Sequence, residues 1–490
     1  MSLNIPQGTL MGHPKGLFLL FATEMWERFS YYGMRALLVL TLVAATEAAN
    51  PGFGMSQSDA INLYGTYTGL VYLTPIIGGW IADNFLGQRL SIIIGGVLMA
   101  LGQFTLFSSV PGSLTVFYVG LGLIIIGNGF FKPNISAMVG DLYPQGDARR
   151  DAAFSIFYMG INLGAFIAPF ITSTLGEDPN FGWRWGYFAA GCGMSLSVVI
   201  QLFLAQRYLG DVGRVAGAKR DLAASGGVKQ PLTREERDRL RVIMFLFVFV
   251  TMFWLAFEQA GGLMNIFAAE YTDRMVGSFE VPAGWFQSAN PLFILLFAPV
   301  FSWLWVKLNK MNKNPSAPVK IVGGMILTAI GFGFLVLGVF QMQIAPDAKS
   351  SMMWLTLAYL FHTLGELCIS PVGLSLMTKL SPIRLASLVM GIWFLMPAVA
   401  QKLGGMVGAF SEHAGEYEAV RNFAAGLGVT QAHSGLLAVF GGIGVALILF
   451  CIALWLLSGT LVDWMHGAEQ PKAPQMPVEF DEEQQAGARV

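Results

Sequence analysis

The sequence predicts an all-α membrane protein of twelve transmembrane helices arranged as two six-helix halves. Three observations carry that reading. Apolar runs of spanning length recur twelve times along the 490 residues. Only 12% of the residues are charged, against ~25% in soluble domains. One long polar internal segment divides the runs six and six. Mean hydropathy is +0.59, and the 58 glycines suit close helix–helix approach in lipid. A net charge of −1 gives no reason to expect a nucleic-acid partner. Cys192, Cys368 and Cys451 all lie in apolar runs, which implies neither a disulfide framework nor a metal cluster. No cofactor is expected.

The runs fall at 16–45, 57–83, 89–110, 113–139, 150–174, 184–208, 239–269, 284–308, 319–344, 351–379, 385–410 and 432–460. The start of the chain, to Leu20, resembles a secretory signal only superficially. Its apolar run carries charges and no convincing cleavage site, so it reads as a retained first span. The domain reading is a first bundle over 1–209, a linker over 210–238 rich in Arg, Lys, Ala and Gly, and a second bundle over 239–462. The tail, 463–490, holds Pro471, Pro474 and the acidic run Asp481, Glu482 and Glu483, and reads as disordered. Lysine and arginine sort strongly between the two sets of loops and ends, twenty-one on one side and four on the other. The basic side is cytoplasmic, so both termini are expected there, as an even number of spans requires.

The first run departs from ordinary lipid-facing sequence. Glu24, Glu27, Arg28, Tyr31, Tyr32 and Arg35 are offset by 0, 3, 4, 7, 8 and 11, which on a helix makes one continuous stripe. Each charge at the bilayer centre costs ~2.5–3.5 kcal/mol even on the lenient insertion scale. The stripe must therefore face protein, water or a ligand. It serves either as a structural ion-pair cluster or as part of a site.

Three more charges lie at depth: Lys132 in span four, Glu258 in span seven and Glu366 in span ten. Spans one, four, seven and ten are equivalent in a six-plus-six repeat and line the central cavity, and every deep charge falls on them. Lys402, near the outer end of span eleven, is expected to snorkel. Lys132-Pro133 and Ser370-Pro371 break spans four and ten at corresponding places, and the freed carbonyls suit a cavity wall. Asn162 and Asn290 offer amides that can meet a peptide bond from both its donor and acceptor ends, although helix-to-helix bonding explains either one alone. Four deep carboxylates face three cations, which leaves one acid over. In a low-dielectric cavity that acid favours its protonated form, so the Glu24/Glu27 pair, modulated by Arg28, is the candidate proton site. A membrane potential of ~100 mV adds ~2.3 kcal/mol per charge moved inward. His13, His413, His433 and His466 sit at ends or loops. His362, four residues before Glu366, reads as a satisfied helix-end histidine.

Two sets of motifs resemble known families. Gly78-Gly79-Trp80-Ile81-Ala82-Asp83-Asn84-Phe85-Leu86-Gly87-Gln88-Arg89, between spans two and three, resembles the conserved loop of the major facilitator superfamily. In that loop Asp83 and Arg89 would bridge helix ends on the cytoplasmic side. Glu24-x-x-Glu27-Arg28-Phe29-x-Tyr31-Tyr32 is similar to the signature of the proton-dependent oligopeptide transporters. The run from Phe154 to Phe166, Phe130-Phe131-Lys132-Pro133-Asn134, Phe257-Glu258-Gln259, and the run Gly365-Glu366 to Pro371 resemble further motifs of that family, in order along the chain.

The resemblance implies a bacterial-type carrier in the inner (plasma) membrane that imports di- and tripeptides with protons as coupling ion, acting as a monomer and not as an enzyme. Carried over by position, Arg35 and Lys132 would face the peptide carboxylate, Glu366 the terminal ammonium, and Asn162 and Asn290 the backbone. Tyr31, Tyr32, Tyr72, Trp393 and Phe394 would line side-chain pockets, although for Trp393 and Phe394 spacing alone favours a lipid-facing or core-packing role. Proton coupling would fall to Glu24, Glu27, Arg28 and Glu258. Arg35–Glu258 and Lys132–Glu366 resemble the family's salt bridges between halves, made and broken as access alternates. Two departures stand out. Some members carry a histidine in span two where this chain has Gly65, and many bacterial members insert two helices where this chain has only 210–238. Within the family, nitrate or another small solute is the alternative cargo, and a peptide sensor that moves nothing is the alternative class.

Overall fold

A computed structural model of the chain describes residues 8–144, 147, 149–214, 232–345, 347–381 and 386–468. The architecture is helical. The first half comprises α1 (Lys15–Val43), α2 (Gln57–Ile81), α3 (Gln88–Ser109), α4 (Leu114–Asp141), α5 (Arg149–Glu177) and α6 (Trp183–Leu209). The second comprises α7 (Arg234–Phe257), α8 (Ala289–Lys310), α9 (Ala317–Gln341), α10 (Met352–Leu380), α11 (Ala386–Ala414) and α12 (Gln431–Trp464). An amphipathic surface helix, Glu418–Gly426, lies between the last two. The expected linker lies mostly outside the described residues, and so does the tail beyond Ala468. Helix α7 begins at Arg234 rather than 239, because Thr233 and Glu236 form a reciprocal capping box on its first turn.

Nine helical segments among the described residues are long and apolar enough to cross a membrane. Helix α1 is not among them, because Lys15, Glu24, Glu27, Arg28 and Arg35 all lie within its 29 residues. Lys15, at its first turn, is exposed, but the charges at depth are hidden inside protein: Glu24, Glu27, Arg28 and Arg35 are all buried. Helices α5 and α6 pack on α1, while α3 packs on α4 and α6. In the second half α9 packs on α10 and α12, and α7 on α11.

The halves meet mainly along α2 with α11, and along α5 with α8 and the turn preceding it. Their hydrogen bonds cluster toward one end, where α1 and α5 finish. Ala283 and Gly284 N–H groups donate to the Glu177 carboxylate at 2.6 and 2.8 Å. Gln57 donates to Glu270 at 2.7 Å, and Trp285 to Thr174 at 3.0 Å. The exposed Lys402 donates from Nζ across the interface to Thr66 at 2.8 Å, with Thr68 donating to Gln401 beside it at 2.8 Å. Arg89, at the start of α3, lies toward the opposite end. There Arg89 Nη1 donates to Gly210 O at 2.8 Å and ties α3 to the end of α6, while Asp83 lies on the adjoining Ala82–Leu86 turn.

The α2–α11 crossing also explains Gly65. A Cβ at this position would lie 2.7 Å from Gln401 O and 2.8 Å from Gly405 Cα. The two backbones touch, so no side chain fits, histidine least of all. Gly65→Leu should therefore overpack the crossing at a cost of about 1–3 kcal/mol. We expect spin labels at exposed Asp59 and Glu416 to move apart in this variant; an unchanged distance would mean that the helices absorb the bulk elsewhere.

Candidate functional site

The α1 stripe forms two neighbouring clusters. In the first, Arg28 Nε lies 2.9 Å from Glu24 Oε1 and 2.5 Å from Glu27 Oε2, so one guanidinium serves two carboxylates. The guanidinium carbon stands 5.5 Å from the centre of the Tyr31 ring. Asn128 of α4 donates from Nδ2 to Glu27 Oε1 at 3.5 Å. With two acids and one arginine, the cluster holds the surplus negative charge expected from the sequence.

Two turns further on, Arg35 is clamped between the halves. Its Nη2 meets Glu258 Oε2 at 2.7 Å, and its Nε donates to the Tyr64 hydroxyl at 2.7 Å. The Tyr32 and Tyr64 rings flank the guanidinium at 5.7 and 5.8 Å. Gly261 makes room for this arrangement: a Cβ there would sit 2.0 Å from the Tyr64 hydroxyl and 2.7 Å from Arg35 Nε. Glu258 lies where α7 passes into a tighter 3₁₀ turn, Glu258–Gly261, and the chain kinks at Gly262. The local break leaves the Ala260 carbonyl to accept from Gln287 at 2.5 Å and from the Tyr359 hydroxyl at 3.2 Å.

On the second half, Glu366 Oε2 accepts from Asn290 Nδ2 at 2.9 Å, and Asn290 also donates to Thr363 at 3.0 Å. A small cavity of about 20 Å3 separates this group from Arg35, lined by Tyr32, Arg35, Asn290, Tyr359, His362 and Thr363. The expected Lys132–Glu366 ion pair is absent among the described residues. Lys132 instead places its ammonium 4.8 Å from the centre of the Tyr72 ring, within its own half. Pro133 and Pro371 sit inside their helices but break neither: α4 runs from Leu114 to Asp141 and α10 from Met352 to Leu380 without interruption. A larger cleft of about 720 Å3, lined by Asn309, Ser316, Lys320, Pro371 and Lys379 among others, shares no residue with these clusters.

Other expectations fare unevenly. Asn162 is buried, and its amide donates to Tyr158 O within α5 at 2.9 Å. Trp393 packs against Gly373, where a Cβ would lie 2.4 Å from the indole. The side chain of Phe394 lies outside the described residues. His362 is neither near a helix end nor well satisfied: it is buried within α10, stacks on Phe332 at 4.7 Å, and has no well-formed hydrogen-bond partner. The sequence reading missed Tyr64, Asn128, Gln287 and Tyr359. Two of these had a signal. Asn128 stands one turn before Lys132 on the same face, and Tyr64 belongs to a repeat with Tyr67, Val71 and Tyr72 that marks the inward face of α2.

The fold and the buried charge clusters define a helical membrane carrier, and comparison with known proteins places it more narrowly. The POT family profile (PTR2) matches residues 89–209 and 220–422. The chain is 38% identical over 463 residues to the peptide transporter YePEPT of Yersinia enterocolitica subsp. palearctica serotype O:3 (strain YE-P4), covering 83% of this chain and 90% of that protein. It is 35% identical over 461 residues to the di-/tripeptide transporter of Lactococcus lactis subsp. cremoris, covering 83% and 91%. A crystal structure of a peptide transporter POT in complex with sulfate superposes with a TM-score of 0.82 at 34% identity, covering 94% of this chain and 98% of that one. This chain belongs to the POT family.

The Arg35 clamp supports a prediction. Glu258→Gln removes the one counter-charge bonded to Arg35 among the described residues, and losing one partner of a buried pair costs about 3–5 kcal/mol. Tyr64→Phe removes a single hydrogen bond, worth about 1 kcal/mol. We expect thermal unfolding in detergent to rank wild type above Tyr64→Phe and Tyr64→Phe above Glu258→Gln. Equal midpoints would show that the clamp does not hold the halves together.

Proposed function

We propose that this chain is a proton-coupled symporter that imports di- and tripeptides across the inner membrane by alternating access. It has twelve spans in two six-helix bundles, 1–209 and 239–462, with both termini cytoplasmic. The observation that carries the reading is the division of deep charge between the halves: Arg35 and Lys132 on the first, and Glu258 and Glu366 on the second, Glu366 held by Asn290. A short peptide is a zwitterion whose ends and backbone are constant while its side chains vary. A cation-bearing wall facing an anion-bearing wall reads the constant parts, and the names of the Yersinia and Lactococcus relatives support the same cargo.

In this reading the Glu177 end is the outer one, and the structure is closed on that side. Arg35–Glu258 closes the outer half of the path, and Lys132–Glu366 forms when the inner half closes. A peptide carboxylate competes with Glu258 for Arg35, so occupancy biases the gate. Glu24 and Glu27, sharing Arg28, take and release the coupling proton. Tyr31, Tyr32, Tyr72, Trp393 and Phe394 shape the side-chain pockets, and Asn162 and Asn290 meet the peptide backbone. No cofactor takes part in the cycle.

Purified protein in liposomes tests this. Added dipeptide should acidify the lumen, as a peptide sensor would not, and labelled dipeptide rather than nitrate should undergo counterflow. Capping the peptide's N-terminus removes the partner of Glu366, and amidating its C-terminus removes the partner of Arg35 and Lys132. Each change should weaken apparent affinity by about tenfold or more, the value of a charged hydrogen bond. Unchanged uptake of the N-capped peptide would remove Glu366 from its role. Full proton-driven accumulation in both Glu24→Gln and Glu27→Gln would overturn the proton assignment.

A further inference from the structure

Glu27 is fully buried, at 0% exposure, and its polar neighbours are unevenly matched to its two protonation states. Arg28 lies 2.5 Å from Oε2 but is not aligned to hydrogen-bond it. The one hydrogen bond to Glu27 among the described residues comes from Asn128 Nδ2, 3.5 Å from Oε1. The other charged and titratable groups facing Glu27 are Glu24 on α1, Lys132 on α4 and Tyr67 on α2. Asn128 is also at 0% exposure, and its Oδ1 has no partner.

The chemistry of these donors and acceptors is decisive. A carboxylate needs donors, whereas a carboxylic acid carries an O–H that needs an acceptor. Arginine and a charged lysine only donate, so both favour the ionised form. Among the described residues two groups facing Glu27 carry both a donor and an acceptor, the Asn128 amide and the Tyr67 hydroxyl, and only Asn128 already hydrogen-bonds it. We propose that Asn128 is a positioning residue for the proton site. Nδ2 donates to ionised Glu27, and rotation of the amide about its Cβ–Cγ bond lets Oδ1 accept the O–H of protonated Glu27. The coupling proton arrives as hydronium, so the step breaks one O–H bond of H3O+, releases water and forms one O–H bond on Glu27, with no other proton moved. Arg28 then remains paired with Glu24, which it already meets at 2.9 Å. The cluster is thereby neutral when loaded and carries one negative charge when empty.

This inference rests on the reading of Glu27 as a proton site, and the test separates the two. Asn128→Leu keeps the size of the side chain and removes both polar atoms; Asn128→Ala repeats the test without added bulk. In proteoliposomes, dipeptide-driven proton uptake should fall about tenfold in both variants, as for the loss of a hydrogen bond to a charged group. Dipeptide counterflow, which needs no net proton movement, should stay within about twofold of wild type. In a Glu27→Gln background the Asn128 changes should have no further effect, since non-additivity marks residues that act as one unit. Proton uptake at wild-type level in both variants would overturn the role, as would a parallel fall in both assays together with a lowered unfolding temperature. A further loss in the Glu27→Gln background would show that Asn128 acts elsewhere. Absence of dipeptide-driven uptake in the wild type would overturn the transport reading itself, and this role with it.

Discussion

The ion pair between Arg35 and Glu258 is the constraint around which the rest of the molecule is arranged. A guanidinium buried between two helix bundles cannot remain without a counter-charge, and at 2.7 Å Glu258 supplies one from the opposite half. Several features of the neighbourhood follow from that requirement. Gly261 has no side chain because the Tyr64 hydroxyl and Arg35 occupy the space. The tightening of α7 at Glu258–Gly261 carries the acid to the interface, and Gln287 and Tyr359 satisfy the carbonyl released there. Asn265 donates to Ala36 O at 2.8 Å and fixes the same crossing one turn beyond. The tyrosines on either side are best understood as insulation: they keep water from the guanidinium while presenting ring faces that tolerate its charge.

The two deep ion pairs expected from the sequence are not equivalent in this conformation. Arg35–Glu258 is made, while Lys132 and Glu366 each find a neutral partner in their own half, Tyr72 and Asn290. The bonds between halves show the same asymmetry, gathering toward the Glu177 end. A carrier that alternates needs two closures that exclude each other. A pair that can open without leaving bare charges is suited to be one of them, because a ring face and an amide hold the separated ions at modest cost. Glu177, which caps two N–H groups of the opposite half, strengthens the closure that is formed here.

Much of this was legible in the sequence, for physical reasons. The charges at 24, 27, 28 and 35 had to share a helix face, and a helix with that face had to hide it. Pro133 and Pro371 fell at corresponding places in equivalent helices, although neither helix is broken there. What was not legible depends on how helices are rotated and how closely they approach. Gly65 reads in isolation as a missing histidine; only the contact with Gly405 shows that α2 and α11 touch there. Asn128 and Tyr64 were polar residues among many until α4 and α2 were placed against α1. His362 looked like a helix-end residue because Glu366 drew attention to one face of α10, whereas Phe332 and Gly331 define the face it occupies. Whether a given pair of ions is joined is a property of the conformation, and sequence carries no information about which conformation is populated.

Charge balance links the two parts of the stripe within the proposed cycle. If a peptide carboxylate takes Arg35, Glu258 is left buried without its cation, and a buried lone carboxylate is unstable unless it is protonated. Peptide binding thus creates a demand for a proton on the second half, while Glu27 and Glu24 compete for a single arginine on the first. Tyr31 and Tyr32, whose rings meet at 5.3 Å, occupy the turn between Arg28 and Arg35 and keep the two clusters apart. The separation is useful. Were the clusters fused, Arg28 could pair directly with the acid released by the peptide and no proton would be needed. Held two turns apart, with two aromatic rings between them, each cluster must settle its own charge, and a proton is a mobile charge small enough to reach both.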